Sequence, residues 1–516
     1  MEIIDNKALL VNAADPSAIT DHIHKSAAVK EGVVVKWGHT EAEILAGLGF
    51  EDTPSPMLRS YAWTGKFTPF DHQKTTASFL SIRRRAFCFN EQGTGKTASV
   101  IWAADYLMKR GDVKRVLVLC PLSIMKSAWQ QDLFKFAMHR SCSVAHGSAK
   151  QREKIIEAGS EFVVINFDGL AIVKDQIIAG GFDLIVIDEA NAYKNAQTNR
   201  WKIIKQIVNA LSPRIWMLTG TPAAQSPLDA YGLAKLADTP SCPKYYGQYR
   251  EQVMMKVTQF KWVPKPQSQD IVHSILQPAI RFEKKDCLDL PEVTHIEREA
   301  PLTPQQQKYY TKLKSQMLFE ADGEEVSAVN AASRINKLLQ ISGGAVYTDT
   351  GEVLEFDVSN RLNVVLEVIE EASNKVLVFV PFTHTIELLR AKLEKAGITC
   401  DVINGKVSVN KRSDIIHQFQ TQPNPHVLII QPQAASHGLT LTAADTIIWY
   451  APVTSVETYL QANARIDRPG QKNAMTIVHI KGSEVEDRLY NMLRGNIENH
   501  KRIIDLYRQM TEEEND

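Results

Sequence analysis

Apolar residues in this chain come in short continuous bursts. The first are RVLVLCP at 115–121, EFVVINF at 161–167, FDLIVIDEA at 182–190 and RIWMLTG at 214–220. Each is short and β-branched, as expected of a strand buried on both faces. Helical stretches such as RWKIIKQIVNAL and PLDAYGLAKLA lie between them. That alternation predicts a parallel sheet with helices on both sides. The rhythm fades between about 238 and 300, where Pro and aromatic residues accumulate, and two helical stretches follow, PQQQKYYTKLKSQMLF and AASRINKLLQIS. It resumes in KVLVFVP (375–381), TCDVIN (399–404), HVLIIQP (426–432), TIIWYAP (446–452) and AMTIVHI (474–480). The expected organisation is two α/β lobes at 61–238 and 358–495. A linker and helical inter-lobe region is expected at 239–357, a small accessory region at 1–60, and a C-terminal helix and tail at 496–516.

Length agrees with more than one core, because 516 residues exceed what a single domain usually holds. Lys+Arg and Asp+Glu both number 59, so nucleic acid would have to meet a local basic surface rather than a global positive field. Lys, Arg and aromatic residues interleave at 245–267, which suits either phosphate contact with base stacking or packing between lobes. The six cysteines are scattered and form no C-x-x-C pair, so neither a zinc ribbon nor a disulfide framework is indicated, and Cys88 and Cys120 read as core residues. The start lacks a basic stretch followed by an apolar one, and no apolar run is long enough to span a bilayer. A soluble, intracellular protein is expected.

Chemistry concentrates first at AFCFNEQGTGKTASVIWA, 86–103. A strand, a glycine-rich turn and a helix bring backbone N–H groups and a positive helix end against phosphate. Gly93 and Gly95 let the chain turn closely, Lys96 would reach the β- and γ-phosphates, and Thr97 would bind Mg²⁺. The usual phosphate loop has a glycine where Asn90 stands, so alone the motif could be a plain turn before a helix. A second element tips the balance. LIVIDEANAYKN ends a buried strand in Asp188-Glu189, at the strand end where such sheets bind ligands. Asp188 would hold Mg²⁺, and Glu189 would polarise the attacking water.

These segments together resemble the superfamily 2 helicase-type ATPases, most closely the Swi/Snf-like branch of DNA translocases, from residue 67 to about 490. The branch's first motif reads D-E-x-G-x-G-K-T, and residues 90–97 are NEQGTGKT, so the loop needs no glycine at Asn90. DEAN departs from the usual D-E-A-H at Asn191. FTPFDHQ resembles the upstream glutamine motif, which implies that Gln73 reads adenine with Phe70 beside it. The resemblance extends nucleotide contact along Gln92, Gly93, Thr94 and Gly95. CPLSIMKSAW, with Ser123, resembles a motif whose helix meets a DNA strand, and INFDGL resembles the next. In LTGTP, Thr219 and Thr221 would link nucleotide to DNA. RFEKKDCLDLPEV (281–293) favours the Swi/Snf-like branch over unwinding helicases. Gly438, in ASHGLTLTAADTIIWY, matches the fifth motif.

QANARIDRPGQ, 461–471, resembles the last motif. Gln461 belongs to the nucleotide side. On a helix, Arg465 and Arg468 would share one face. In the family, arginines there reach across the cleft to the γ-phosphate, where a guanidinium stabilises the charge of phosphoryl transfer. The expected fold is α/β, two RecA-like parallel-sheet lobes with helices on both faces. The expected function is ATP-dependent movement of a monomer along double-stranded or branched DNA, remodelling it or displacing bound proteins, in DNA repair or recombination. ATP and Mg²⁺ are the cofactors. The absence of long insertions points to a bacterial or bacteriophage protein in the cytoplasm. Two alternatives stand beside this reading. One is a strand-separating helicase, and the other is a nucleic-acid-binding scaffold with a vestigial ATPase.

Overall fold

The structure is a computed structural model of the whole chain. It describes all residues except 221, 224–225, 259–261, 288–289, 322–327, 348–351, 436–439 and 496–516. The chain divides into two compact units, Met1–Leu288 and Asp289–Asp516.

The first unit begins with four antiparallel strands in the order β1-β2-β4-β3. They are β1 (Glu2–Ile4), β2 (Ala8–Val11), β3 (Ser26–Val29) and β4 (Gly32–Lys36). Leu9, Val11, Val33, Val35 and Trp37 give this sheet its own small core. The main sheet takes β5 (Arg85–Cys88), β6 (Val116–Cys120), β7 (Cys142–Ala145), β8 (Phe162–Asn166), β9 (Leu184–Asp188) and β10 (Arg214–Leu218). A hairpin, β11 (Met254–Lys256) with β12 (Trp262–Pro264), precedes the last strand, β13 (Ala279–Ile280). Among the described residues the main sheet runs β13-β5-β10-β9-β6-β8-β7, all parallel.

The apolar bursts form strands because both faces are covered. Leu117, Leu119, Ile185, Ile187, Ile215 and Met217 enter one core, with the helices Asn199–Leu211 and Ala230–Ala237. Their neighbours Val116, Val118, Leu184, Val186, Trp216 and Leu218 enter another, with the helices Asp71–Ser81 and Lys96–Arg110. Alternate side chains thus serve opposite faces, and neither face can be polar. Cys88 and Cys120 are fully buried.

The second unit repeats the plan. It holds β14 (Val293–Glu299), a small hairpin of β15 (Ala345–Tyr347) and β16 (Val353–Glu355), then β17 (Lys375–Phe379), β18 (Cys400–Ile403), β19 (Val427–Ile430), β20 (Ala444–Trp449) and β21 (Met475–Lys481). The parallel order is β14-β21-β20-β17-β19-β18. Leu377, Leu428, Ile447 and Ile477 face one core, and Val376, Val427, Ile448 and Val478 the other. Two layered α/β cores are therefore present, the class the rhythm implies.

The stretch 239–357 is divided rather than forming one inter-lobe region. Tyr249, Val253, Ile275 and Leu276 are buried in a core of the first unit, while Tyr310, Ile335 and Leu338 pack with Val485 and Leu489 in the second. Composition hides this, because the buried positions are scattered among exposed Pro, Lys and Tyr. The expected C-terminal helix at 496–516 lies outside the described residues.

Candidate active site

The helix Lys96–Arg110 starts at Gly95, whose backbone is left-handed at φ +82°. Gly93 is left-handed too, at +85°. Two such residues fold the chain sharply and favour a concave nest of N–H groups. A Cβ on Gly95 would fall 2.1 Å from Gln73 Nε2, so only glycine admits the glutamine there. Gln73 in turn braces the loop. Its Nε2 donates to Thr94 O at 3.2 Å and its Oε1 accepts from Phe70 N at 3.0 Å. His72 Nε2 lies 2.8 Å from the same Thr94 O. Phe70 is half exposed and stacks on His72, with ring centroids 5.7 Å apart. Lys96 Nζ donates to the carbonyls of Asn90 at 2.8 Å and Glu91 at 3.1 Å. Thr97 sits half-buried in the first helical turn.

Asn90 is 1% exposed and works as a latch. Its Nδ2 donates to Thr76 Oγ1 at 2.8 Å, and Thr76 spends its own proton on His72 O at 2.7 Å. Asn90 Oδ1 accepts from Phe282 N at 3.0 Å. The segment around Phe282 continues β13 along the loop. Phe89 N donates to Ile280 O at 2.8 Å, Glu91 N to Phe282 O at 3.0 Å, and Lys284 N to Glu91 Oε2 at 2.9 Å. An amide at position 90 therefore does what a glycine could not: it joins the helix Asp71–Ser81, the loop and the strand beyond.

Asp188 closes β9 and is 9% exposed. Its Oδ2 accepts from the Trp129 indole Nε1 at 2.9 Å, and its Oδ1 from Glu189 N at 3.0 Å. Burial pushes the Asp188 carboxyl above the ordinary carboxylate range, while the indole, the Lys96 ammonium and the Glu189 amide pull it back. Glu189 holds a left-handed backbone at φ +53°, unusual for a side chain of its kind. Such a conformation costs roughly 1–3 kcal/mol and gathers at functional sites. Glu189 Oε1 accepts from Gln92 Nε2 at 3.4 Å, so Gln92 bridges the glycine loop and the acidic pair. Asn191 follows in the short turn Ala190–Tyr193.

Thr219 is buried and its N–H extends the pairing of β10 with β5 by donating to Cys88 O at 3.1 Å. A Cβ on Gly220 would lie 3.6 Å from Asn90 O and from Gln92 N, which puts the LTG segment directly against the loop. The first unit thus gathers Phe70, Gln73, Gln92, Gly93, Thr94, Gly95, Lys96, Thr97, Asp188, Glu189 and Thr219 at the carboxyl ends of β5, β9 and β10. Thr221 and Gly438 lie outside the described residues, as does the Ser123 side chain.

In the second unit, Gln461 is buried on the helix Val456–Asn463 and donates from Nε2 to Glu457 Oε1 at 3.2 Å. That helix ends before Arg465, so the two arginines do not share a helical face. Pro469 further disfavours helix at Arg468, and the chain turns at Gly470 with φ +103°. Arg465 is 1% exposed, with Nε donating to Gln461 O at 2.6 Å. Arg468 is half-buried, with Nη1 donating to Thr440 Oγ1 at 2.9 Å. Sequence reasoning misses Trp129 and His72. Trp129 stands 59 residues before its partner Asp188, and no spacing rule connects them.

Residues 72–343 match the SNF2-related domain, more than half of the 516 residues, and residues 360–470 match the helicase conserved C-terminal domain. The chain belongs to the SNF2-related family. Relatives include the mouse (Mus musculus) Chromodomain-helicase-DNA-binding protein 1-like, 26% identical over 81% of this chain and 47% of its own length. Another is the ATP-dependent helicase MG018 of Mycoplasma genitalium, 26% identical over 76% of this chain and 37% of its own. The chain therefore spans less than half the length of these curated relatives. A solved structure of the Sulfolobus solfataricus SWI2/SNF2 ATPase core in complex with dsDNA aligns with 84% of this chain and 92% of that one, at 23% identity and a TM-score of 0.42. Among the described residues no helix is long and apolar enough to cross a membrane.

Proposed function

We propose that this SNF2-related chain is an ATP-dependent translocase on double-stranded DNA that remodels DNA structures or displaces bound proteins, with the first-unit cluster as its ATPase centre. The observation that supports the reading is Gln92 Nε2 donating to Glu189 Oε1 at 3.4 Å, which brings the glycine loop beside the acidic pair. The residues fit a magnesium nucleotide. The loop is left-handed at both glycines, Thr97 offers a hydroxyl in the first helical turn, and Asp188 is a buried carboxylate held by neutral donors. Thr97 and Asp188 would hold the Mg²⁺, which would offset phosphate charge.

In this reading Phe70 and Gln73 orient the base, and the loop amides with Lys96 grip the phosphates. Glu189 takes the proton side of the attacking water. Its strained backbone aims the carboxylate, so little rearrangement is left to the reaction. Arg465 and Arg468 supply guanidinium charge to the transferring phosphoryl group. DNA would be held through its phosphates, so binding should weaken steeply with salt and show slight sequence preference.

The test compares hydrolysis on duplex, branched and single-stranded DNA of equal length, together with displacement of a third strand from a triplex. Stronger stimulation by duplex and ATP-dependent triplex displacement are expected, without separation of a blunt duplex. A second reading, strand separation, draws on one observation. The β11–β12 hairpin exposes Met255 (51%) and Val257 (53%), apolar side chains of the kind a separating pin uses. Efficient unwinding of a tailed duplex, stimulated mainly by single strands, would favour it and reject the first.

A further inference from the structure

The chain after β6 does not enter an ordinary α-helix. It passes Pro121, makes one 3₁₀ turn at Leu122–Ile124, and then a π-helical turn at Met125–Gln130 before the helix Gln131–Phe136 begins. A π turn has weaker packing than an α turn and is found mostly where function needs it. Here it rotates the helix so that one side is wholly buried. Ile124, Met125, Trp129 and Leu133 are each 4% exposed or less, and all belong to one core. Leu122 and Lys126 stand exposed on the other side. At the end of the buried side, the Trp129 indole N–H reaches Asp188 Oδ2 at 2.9 Å, and Trp129 itself is fully buried.

We propose that Trp129 is a positioning residue for Asp188, fixing the orientation of its carboxylate through the indole N–H. This rests on the proposed ATPase reading, in which Asp188 is a metal-binding carboxylate. An indole donor suits the task. It has one N–H, fixed in the ring plane, and cannot lose its proton or turn to another acceptor. It therefore sets the rotation of the carboxylate, and with it the direction of the lone pairs left for a cation. Partners of this outer kind commonly govern metal affinity as strongly as the ligands they orient.

The experiment uses the full chain in three forms: the parent, Trp129→Phe and Trp102→Phe. Trp102 is 1% exposed, and its Nε1 donates to Thr64 O at 2.8 Å, so it controls for losing any buried indole N–H. Benzothienylalanine incorporated at 129 keeps the ring size while deleting the donor, and serves if Trp129→Phe does not fold. Affinity for a fluorescent ATP analogue is measured in EDTA and across a Mg²⁺ titration. Both position-129 forms should bind like the parent in EDTA yet need about 10-fold more Mg²⁺ for half-maximal effect. Trp102→Phe should lose thermal stability without that shift. At saturating Mg²⁺, hydrolysis with and without duplex DNA is measured on the parent. An unshifted Mg²⁺ requirement overturns Trp129 as the positioning residue. A parent that is not stimulated by DNA would fail the proposed function instead, and the Mg²⁺ titration would still judge Trp129.

Discussion

Replacing Asn90 by Asp adds no atoms of consequence, matches the first motif of the family's Swi/Snf-like branch, and should nevertheless harm this chain. The amide donates to Thr76 Oγ1 at 2.8 Å while Thr76 donates onward to His72 O at 2.7 Å. In the Asn90→Asp variant an oxygen would face a hydroxyl oxygen whose proton is already used. Losing that buried bond and leaving Thr76 unsatisfied costs about 1–3 kcal/mol. Burying a carboxylate at a site 1% exposed costs several kcal/mol more in principle. Two features offset it. The Phe282 N–H would then donate to a charged oxygen, and Lys96 Nζ lies 2.8 Å from the Asn90 carbonyl. The net expectation is a loss of about 2–4 kcal/mol, which for a unit of this size lowers Tm by roughly 5–10 °C. Nucleotide binding should weaken as well, since the new charge sits beside the phosphate cradle. Thermal melts and nucleotide titrations of Asn90→Asp, Thr76→Val and the double variant measure both effects. If the hydroxyl is the cause, Thr76→Val should remove about 1 kcal/mol or more of the Asn90→Asp penalty. A single variant as stable as the parent, or a penalty unchanged by Thr76→Val, would refute the latch.

Lys96→Ala should weaken ATP binding, whereas Glu189→Gln should bind ATP like the parent and stop turnover; near-normal hydrolysis in Glu189→Gln would remove that role. Arg468→Ala should retain ATP binding but lose DNA-stimulated hydrolysis by about 10³-fold, the usual order for such an arginine, as measured by steady-state ATPase assays. Asp105 gives a pH prediction. Its fully buried carboxylate accepts from Tyr61 at 2.6 Å, His139 and Arg140 at 2.7 Å and Lys109 at 3.0 Å, and these donors outweigh burial and hold its pKa down at about 2. A depressed pKa stabilises the fold above the ordinary value near 4, and that stabilisation, about 2 kcal/mol, is lost as pH falls from about 4 toward 2. Urea midpoints of the parent should therefore drop over that window more than those of Asp105→Asn, which should start lower at neutral pH.

The strands of both sheets were legible because continuous apolar runs have one simple cause, burial on two faces. β14, read VTHIERE, was not, because it is a sheet-edge strand with mostly exposed side chains and so carries no apolar run. The loop at 90–97 and the Asp188-Glu189 pair were legible as motifs, and their residues do lie together. What Asn90 does was not, since its partners Thr76 and Phe282 stand 14 and 192 residues away. The helix end before Arg465 was not legible, because the three-residue spacing of the arginines is the conspicuous signal and points the other way. The split of 239–357 was hidden because a buried Tyr249 or Ile275 looks no different in sequence from the exposed Tyr245 beside it.

The strand that finishes the first sheet arrives late in the chain. β13 and its flanking residues Pro278 and Phe282 accept from the backbone N–H groups of Phe87, Phe89 and Glu91, so the strand beside the glycine loop comes from sequence nearly two hundred residues downstream. A fragment cut where the apolar rhythm stops, at 238, would contain every recognised nucleotide motif of this unit and still leave those amides unpaired at a sheet edge. In the proposed reading, a piece that binds ATP is therefore expected to run past Lys284. During synthesis, too, the pairing of that loop stays incomplete until this late segment has left the ribosome, so nucleotide is expected to stabilise the nascent unit only after it.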